Sequence, residues 1–294
     1  MSLLDRWRKI TRRPPIVAVV RLSGVIGQLG PLRAGMSLAS LAPHLERAFA
    51  LRGLKAVALA INSPGGSLVQ SALILNRIRA LAAEKGVLVF AFVEDVAASG
   101  GYWLACAGDK IYAQEASVLG SIGVISAGFG FSEAIHRLGI ERRVYTAGDK
   151  KGLLDPFQPE RAEDIARLKD LQADVHDGFK ALVRKRRGKK LTGPEEELFS
   201  GAFWSGRKAL EFGLIDGIAD LRDEMRRRYG RKVRLQVVGP GRNWLQRRLS
   251  PSSHSDHDGP AIGGGALGAG LGTGLAEGLV AALEERALWG RYGL

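Results

Sequence analysis

Short stretches of this chain set reactive side chains where a turn can expose them. In Ala98-Ser99-Gly100-Gly101-Tyr102 a serine stands between an apolar run and paired glycines. At a strand-to-helix junction its Oγ can point into a crevice, and the helix N-terminus beside it favours developing negative charge. A serine there can equally serve as a plain N-cap. One βα unit earlier, Asn62-Ser63-Pro64-Gly65-Gly66 repeats the arrangement. Glycine lets the backbone approach a substrate and leaves amide donors free at the start of the next helix, as an oxyanion hole requires. The same residues also make an ordinary βα turn. A nucleophilic serine needs a base. His136 falls in an amphipathic stretch, His44 precedes the first glycine turn and His176 lies in a long helical stretch next to Asp174. None of the three stands in a loop with a carboxylate behind it, so glutamine at His136 or His176 should be tolerated. Lys151 does stand in a glycine-flanked loop, Gly148-Asp149-Lys150-Lys151-Gly152, at the end of a strand. A Ser-Lys dyad performing acyl transfer is open there, beside plain solvation of the lysine.

Such turns need rigid elements behind them. An apolar strand over 16–22, a helix around 38–52 and a buried strand over 56–61 open a βαβ unit that ends at the first glycine turn. A helix over 67–85 stopped by Gly86, a buried strand over 87–93 and a short apolar helix after Ser99 repeat the unit. Two short strands over 110–126, a strand over 142–148, a long helix over 159–187 and a helix over 205–212 ending at Gly213 follow. Strands alternating with helices predict a layered α/β fold with short, largely parallel strands. The expected organisation is a basic arm over 1–14, a core over 15–230, a strand and linker over 231–260, and a Gly-rich segment with an amphipathic C-terminal helix over 261–294.

Composition excludes several classes. A single cysteine, Cys106, leaves no internal disulfide and no cysteine-rich zinc site, and neither a metal nor an organic cofactor is implied. The formal charge of +13 raises nucleic acid or an anionic membrane surface as partners. The basic run over 184–190 sits at a helix C-terminus, where it complements the helix dipole, and has few aromatics to stack bases, so no nucleic-acid partner is expected. The stretch over 16–24 is too short and interrupted for a signal peptide or spanning helix. Leu275, Leu279 and Leu283 recur at i+4, as a helix for a membrane surface or partner subunit would place them. His254 and His257 read as solvated linker residues.

In order along the chain, Ser63-Pro64-Gly65-Gly66, Ala98-Ser99-Gly100-Gly101-Tyr102, Gly120-Ser121-Ile122-Gly123-Val124, the segment over 148–157 and Gly206-x-x-Ala209-x-x-x-Gly213-Leu214-Ile215-Asp216 resemble the signal peptide peptidase A (protease IV) family. That family shares a ββα spiral core with the Clp protease and crotonase superfamily. The resemblance spans roughly residues 15–222. It implies Ser99 as nucleophile, Lys151 rather than Lys150 as general base, and Ser121 as a hydrogen-bonding support for the lysine amine. It also implies Gly66 and Gly100 as oxyanion donors, with Ser63, Pro64 and Gly65 toward the substrate. Long family members carry two core repeats, with the lysine in one and the serine in the other, whereas this chain has one. In short members neighbouring subunits complete the dyad, so the resemblance implies a homo-oligomer, an eight-membered ring or dome. The expected substrates are hydrophobic peptides such as remnant signal peptides. The expected location is the cytoplasmic face of a membrane, with peripheral contact. Two rival readings are a crotonase-like acyl-thioester enzyme, served by the same oxyanion turns, and a catalytically idle membrane scaffold.

Overall fold

The computed structural model describes residues 14–27, 35–148, 150–239 and 286–292. Strand β1 (Ile16–Ser23) pairs in parallel with β2 (Leu54–Ser63), and β2 with β3 (Leu88–Ala98). These strands read as near-continuous apolar runs because both faces are covered, the condition a parallel sheet requires. Val57, Leu59 and Ile61 of β2 enter the larger cluster; Ala56, Ala58 and Ala60 enter a smaller one with Phe90, Phe92, Tyr112 and Met225.

Helices α1 (Leu38–Phe49) and α2 (Leu68–Lys85) pack together against the first face. Ser37 and Ser67 cap them by accepting from backbone N–H groups, and Gly86 ends α2 in the left-handed conformation that glycine adopts without strain. The short helix α3 (Gly100–Ala105) follows β3 directly. Along one edge, β3 divides its pairing: residues 90–92 pair with β4 (Lys110–Ala113), and residues 96–98 with β5 (Val118–Gly120).

After β5 the chain leaves the core as an arm over 123–161 that carries helix α4 (Ser132–Arg137), and returns as the long helix α5 (Ala162–Arg187). Helix α6 (Glu195–Leu198) leads to β6 (Phe203–Ser205), the one antiparallel neighbour of β5 among the described strands. Then come α7 (Gly206–Glu211), β7 (Gly217–Ile218), α8 (Leu221–Tyr229) and β8 (Arg234–Val238). The sheet order is β6-β5-β3-β2-β1-β8, with β4 and β7 branching from β3. This mixed α/β fold with a mostly parallel sheet is the class expected.

Two local expectations change. The strand expected over 142–148 does not form: residues 141–146 are irregular and exposed in the arm, without the buried face that makes a strand stable. The strand expected to open the segment after the core is β8, which pairs with β1 and belongs to the core sheet. Most of the basic arm, the linker and the Gly-rich segment lie outside the described residues, as do His254 and His257. No helix among the described residues is long and apolar enough to cross a membrane.

Candidate active site

Both glycine turns stand at the C-terminal ends of adjacent parallel strands, where open α/β sheets place their ligands. Their glycines interlock. A Cβ on Gly65 would lie 2.9 Å from the Cβ of Ser99, and one on Gly101 would lie 2.5 Å from the carbonyl oxygen of Ser63. Gly66 has φ +130 and bridges Ile26 through its neighbours: the Ile26 N–H donates to Gly65 O at 2.8 Å and the Ser67 N–H to Ile26 O at 2.8 Å. In such a parallel bridge the N–H of Gly66 itself points away from Ile26.

Ser99 begins α3 with φ 53 and ψ −121, a conformation that costs a side-chain-bearing residue on the order of 1–3 kcal/mol. Its hydroxyl makes no capping bond, so the capping reading does not describe it. Its N–H donates to Gly120 O at 2.9 Å, which sets the next residue, Ser121, beside it. Ser121 also has positive φ, 50°, and its N–H donates to Ala202 O at 2.7 Å. Beneath the turn, the buried Tyr102 donates its hydroxyl to Leu214 O at 2.7 Å, tying α3 to the Gly213-Leu214-Ile215-Asp216 segment.

That segment is held by charge. Burial pushes the Asp216 carboxyl up, but ion pairs with Lys190 and Arg187 and the N–H of Ile111 hold it well below the usual carboxylate range. Cys106, buried under Tyr102, has its thiol pushed up to about 12 by burial, which leaves it inert as a nucleophile.

Ser99, Ser121, Pro64 and Gly66 line one crevice of about 510 Å³, together with Leu68, Val124, Ile125 and His176. The structure thus brings four of the expected site residues together. Ser63 is fully buried and donates its hydroxyl to Gly24 O at 2.7 Å, while Gly65 and Gly100 are buried in the turns beside Ser99, where an added Cβ would meet neighbouring atoms at 2.9 and 2.7 Å. Lys151 stands outside the crevice, exposed in a turn of the arm. That turn is anchored by the Arg142–Asp155 ion pair at 3.0 Å and by Phe157 against Phe131, with ring centroids 5.7 Å apart.

Residues 81–232 match the family described as Peptidase family S49. The chain belongs to peptidase family S49. It is 32% identical over 213 residues to "Serine protease SPPA, chloroplastic" of Arabidopsis thaliana, covering 70% of this chain and 31% of that protein. It is 32% identical over 174 residues to "Putative signal peptide peptidase SppA" of Enterococcus faecium, covering 59% of this chain and 50% of that protein. A Brucella abortus protein named "Na(+)/H(+) antiporter NhaA" is 52% identical over 292 residues, 98% of this chain. The chain spans only 38% of that protein's length, so the name describes a polypeptide most of which lies outside the match.

Within this S49 chain, other crevice residues carried no legible signal. Ser200 and Gly201 reach the wall because Gly201 packs against Gly123, where an added Cβ would meet the Gly201 Cα at 3.0 Å. The C-terminal segment closes the far side: Leu288, Arg291 and Tyr292 line the crevice, and the Tyr292 ring meets Phe203 edge-on at 5.3 Å. His176, weighed from sequence only as a base, lines the crevice while its Nε2 lies 3.0 Å from Ile122 O.

Proposed function

We propose that this chain is a serine endopeptidase that cleaves hydrophobic peptides with a Ser-Lys dyad, Ser99 as nucleophile and Lys151 as base. One observation carries the reading. Ser99 is held in a strained turn with its hydroxyl free of the capping bond, in a crevice shared with Ser121 and Gly66. Ser99 Oγ attacks the scissile carbonyl carbon while its proton passes to the Lys151 amine. The N–H groups of Gly66 and Gly100 hold the resulting oxyanion. Collapse of this intermediate breaks the C–N bond, the lysine returns the proton to the leaving amine, and water then hydrolyses the acyl-serine ester.

Lys151 comes from a second copy of the chain. Supporting this, the arm that bears it projects from the core and exposes large apolar side chains, Phe129 at 81% and Tyr145 at 91%, that an intersubunit contact would bury. The assembly is a ring, eight-membered by resemblance, in which one subunit's arm reaches the next subunit's crevice. Apolar crevice residues Pro64, Leu68, Val124 and Ile125 suit hydrophobic segments such as remnant signal peptides, and the Enterococcus faecium relative carries a signal peptide peptidase name. The basic N-terminal arm places the ring against an anionic membrane surface. A fluorophosphonate probe should label the assembled chain at Ser99, with labelling lost in Ser99→Ala. An unlabelled protein would favour the idle scaffold.

A further inference from the structure

We infer that His176 is a positioning residue of this site, clamping the Ser121 turn and the root of the lysine-bearing arm to the helix that begins at Ser99. The inference rests on the Ser-Lys reading above.

A carbonyl oxygen can only accept, so the 3.0 Å contact between His176 Nε2 and Ile122 O fixes Nε2 as the protonated nitrogen. A nitrogen already donating there cannot itself take the Ser99 proton, and glutamine, which keeps the donor but has no imidazole, separates positioning from a role as base. What the bond holds is the turn that needs holding. Ser121 stands at φ 50, and such a conformation persists only where the surroundings over-determine it. From one side the Ser121 N–H donates to Ala202 O at 2.7 Å; from below, the Ile122 side chain is fully buried in the core; the third restraint is His176.

The helix carrying that imidazole is itself fastened to α3. Phe179, three residues on, packs against Trp103 with ring centroids 4.9 Å apart. Arg186 donates to Cys106 O at 2.7 Å and Gly108 O at 3.0 Å, just past the C-terminal end of α3. Helix α5 therefore spans from the back of the nucleophile's helix to the Ser121 turn, with His176 where its buried seam meets the crevice. The same bond ties the chain's exit from the core, at Ile122, to the helix by which it returns. The segment between them carries Lys151, so the clamp sets where the arm starts as well as where Ser121 stands.

The test compares peptide cleavage and fluorophosphonate labelling by the full-length assembled chain. His176→Ala should lower both by at least tenfold. His176→Gln, whose amide can still donate to Ile122 O, should stay within a few-fold of the parent. His176→Asn, one methylene shorter, should behave like Ala. Combining His176→Ala with Ser121→Ala should cost little more than Ser121→Ala alone, because both act through one turn. Assembly size and thermal midpoint are measured for each variant, and Asn replaces Ala in the cycle if Ala does not fold. Parent-like activity in His176→Ala, a Gln variant as impaired as Ala, or multiplicative losses in the double variant would each overturn the role of His176. If Ser121→Ala alone is harmless, the lysine's supporting serine is lost from the Ser-Lys reading, and the role of His176 falls with it. If Ser121→Ala is costly and His176→Ala is not, only the role of His176 falls.

Discussion

Gly65 and Ser99 touch across the two glycine turns so closely that a methyl group on Gly65 would stand 2.9 Å from the Ser99 Cβ and 2.9 Å from the Ala98 carbonyl oxygen. Neither obstacle is the far end of a flexible side chain, so the Ser99 turn would have to move. A displacement of about 1 Å at a reacting group can cost on the order of 10²-fold in rate. Gly65→Ala should therefore lose at least that much activity. Gly53, with φ +85 and open space around it, is the control: alanine there meets a similar backbone penalty without the collision. Peptidase assays and thermal melts of both variants should show stability lost in each but activity lost only at Gly65.

The neighbouring lysines distinguish chemistry from charge. Lys151→Ala should abolish turnover, whereas Lys150→Ala should keep most of it. Activity of the parent should rise toward alkaline pH, because only the free amine can accept the Ser99 proton. Steady-state rates for the three proteins across neutral to alkaline pH check this, and the reverse pattern between the two lysines would remove Lys151 from the site.

Acid should loosen the fold through two carboxylates. Hydrogen bonds from Arg227, then Arg228 and Tyr112, outweigh burial and hold Glu224 down at about 2, and Asp216 is held low by Lys190, Arg187 and Ile111 N–H. Both folded-state values lie below the unfolded ones, so the unfolded chain binds more protons in acid. The stability these groups supply is complete above the ordinary carboxylate range and is lost as pH falls toward their folded values. Glu224→Gln should flatten the acid limb by on the order of 1–2 kcal/mol, given the screening of its exposed Arg227 partner. Chemical denaturation of both proteins between neutral pH and about pH 3 would read this out.

How far the residues themselves revealed the site depended on whether local chemistry or tertiary contact decided each element. The glycine turns were legible because Gly65, Gly66 and Gly101 stand where no Cβ fits, a demand that shows directly in residue type. Helix limits at Ser67 and Gly86 were legible for the same reason. The segment over 142–148 looked like a strand, yet a strand needs a partner and a buried face, and residues 141–146 are exposed in the arm. Similarly, β8 completes the sheet beside β1 across most of the chain's length, a pairing no local pattern signals. His176 was legible as a helical residue, but its bond to Ile122 spans 54 positions and exists only once α5 has packed on α3.

The segment bearing Leu288, Arg291 and Tyr292 narrows the crevice beside Ser99. Replacing these three residues together by alanine removes the Tyr292 contact with Phe203 and should open the site to longer peptides. The expected result is a several-fold rise in kcat/KM for extended substrates, with little change for a short chromogenic ester. A fall for both substrates would show that these residues bind substrate rather than obstruct it.

The central claim is that two copies of the chain make one site, Ser99 from one and Lys151 from the other. Ser99→Ala and Lys151→Ala are each inactive as homo-oligomers in this account, since every interface lacks one partner. Co-refolding the two variants should restore part of the peptidase activity, because some interfaces then join an intact Ser99 to an intact Lys151. The decisive measurement is peptide cleavage by such mixtures, with mixed oligomers verified by native mass spectrometry. Partial recovery that follows the fraction of mixed assemblies is the predicted result. Verified mixed oligomers with no activity would contradict the shared site.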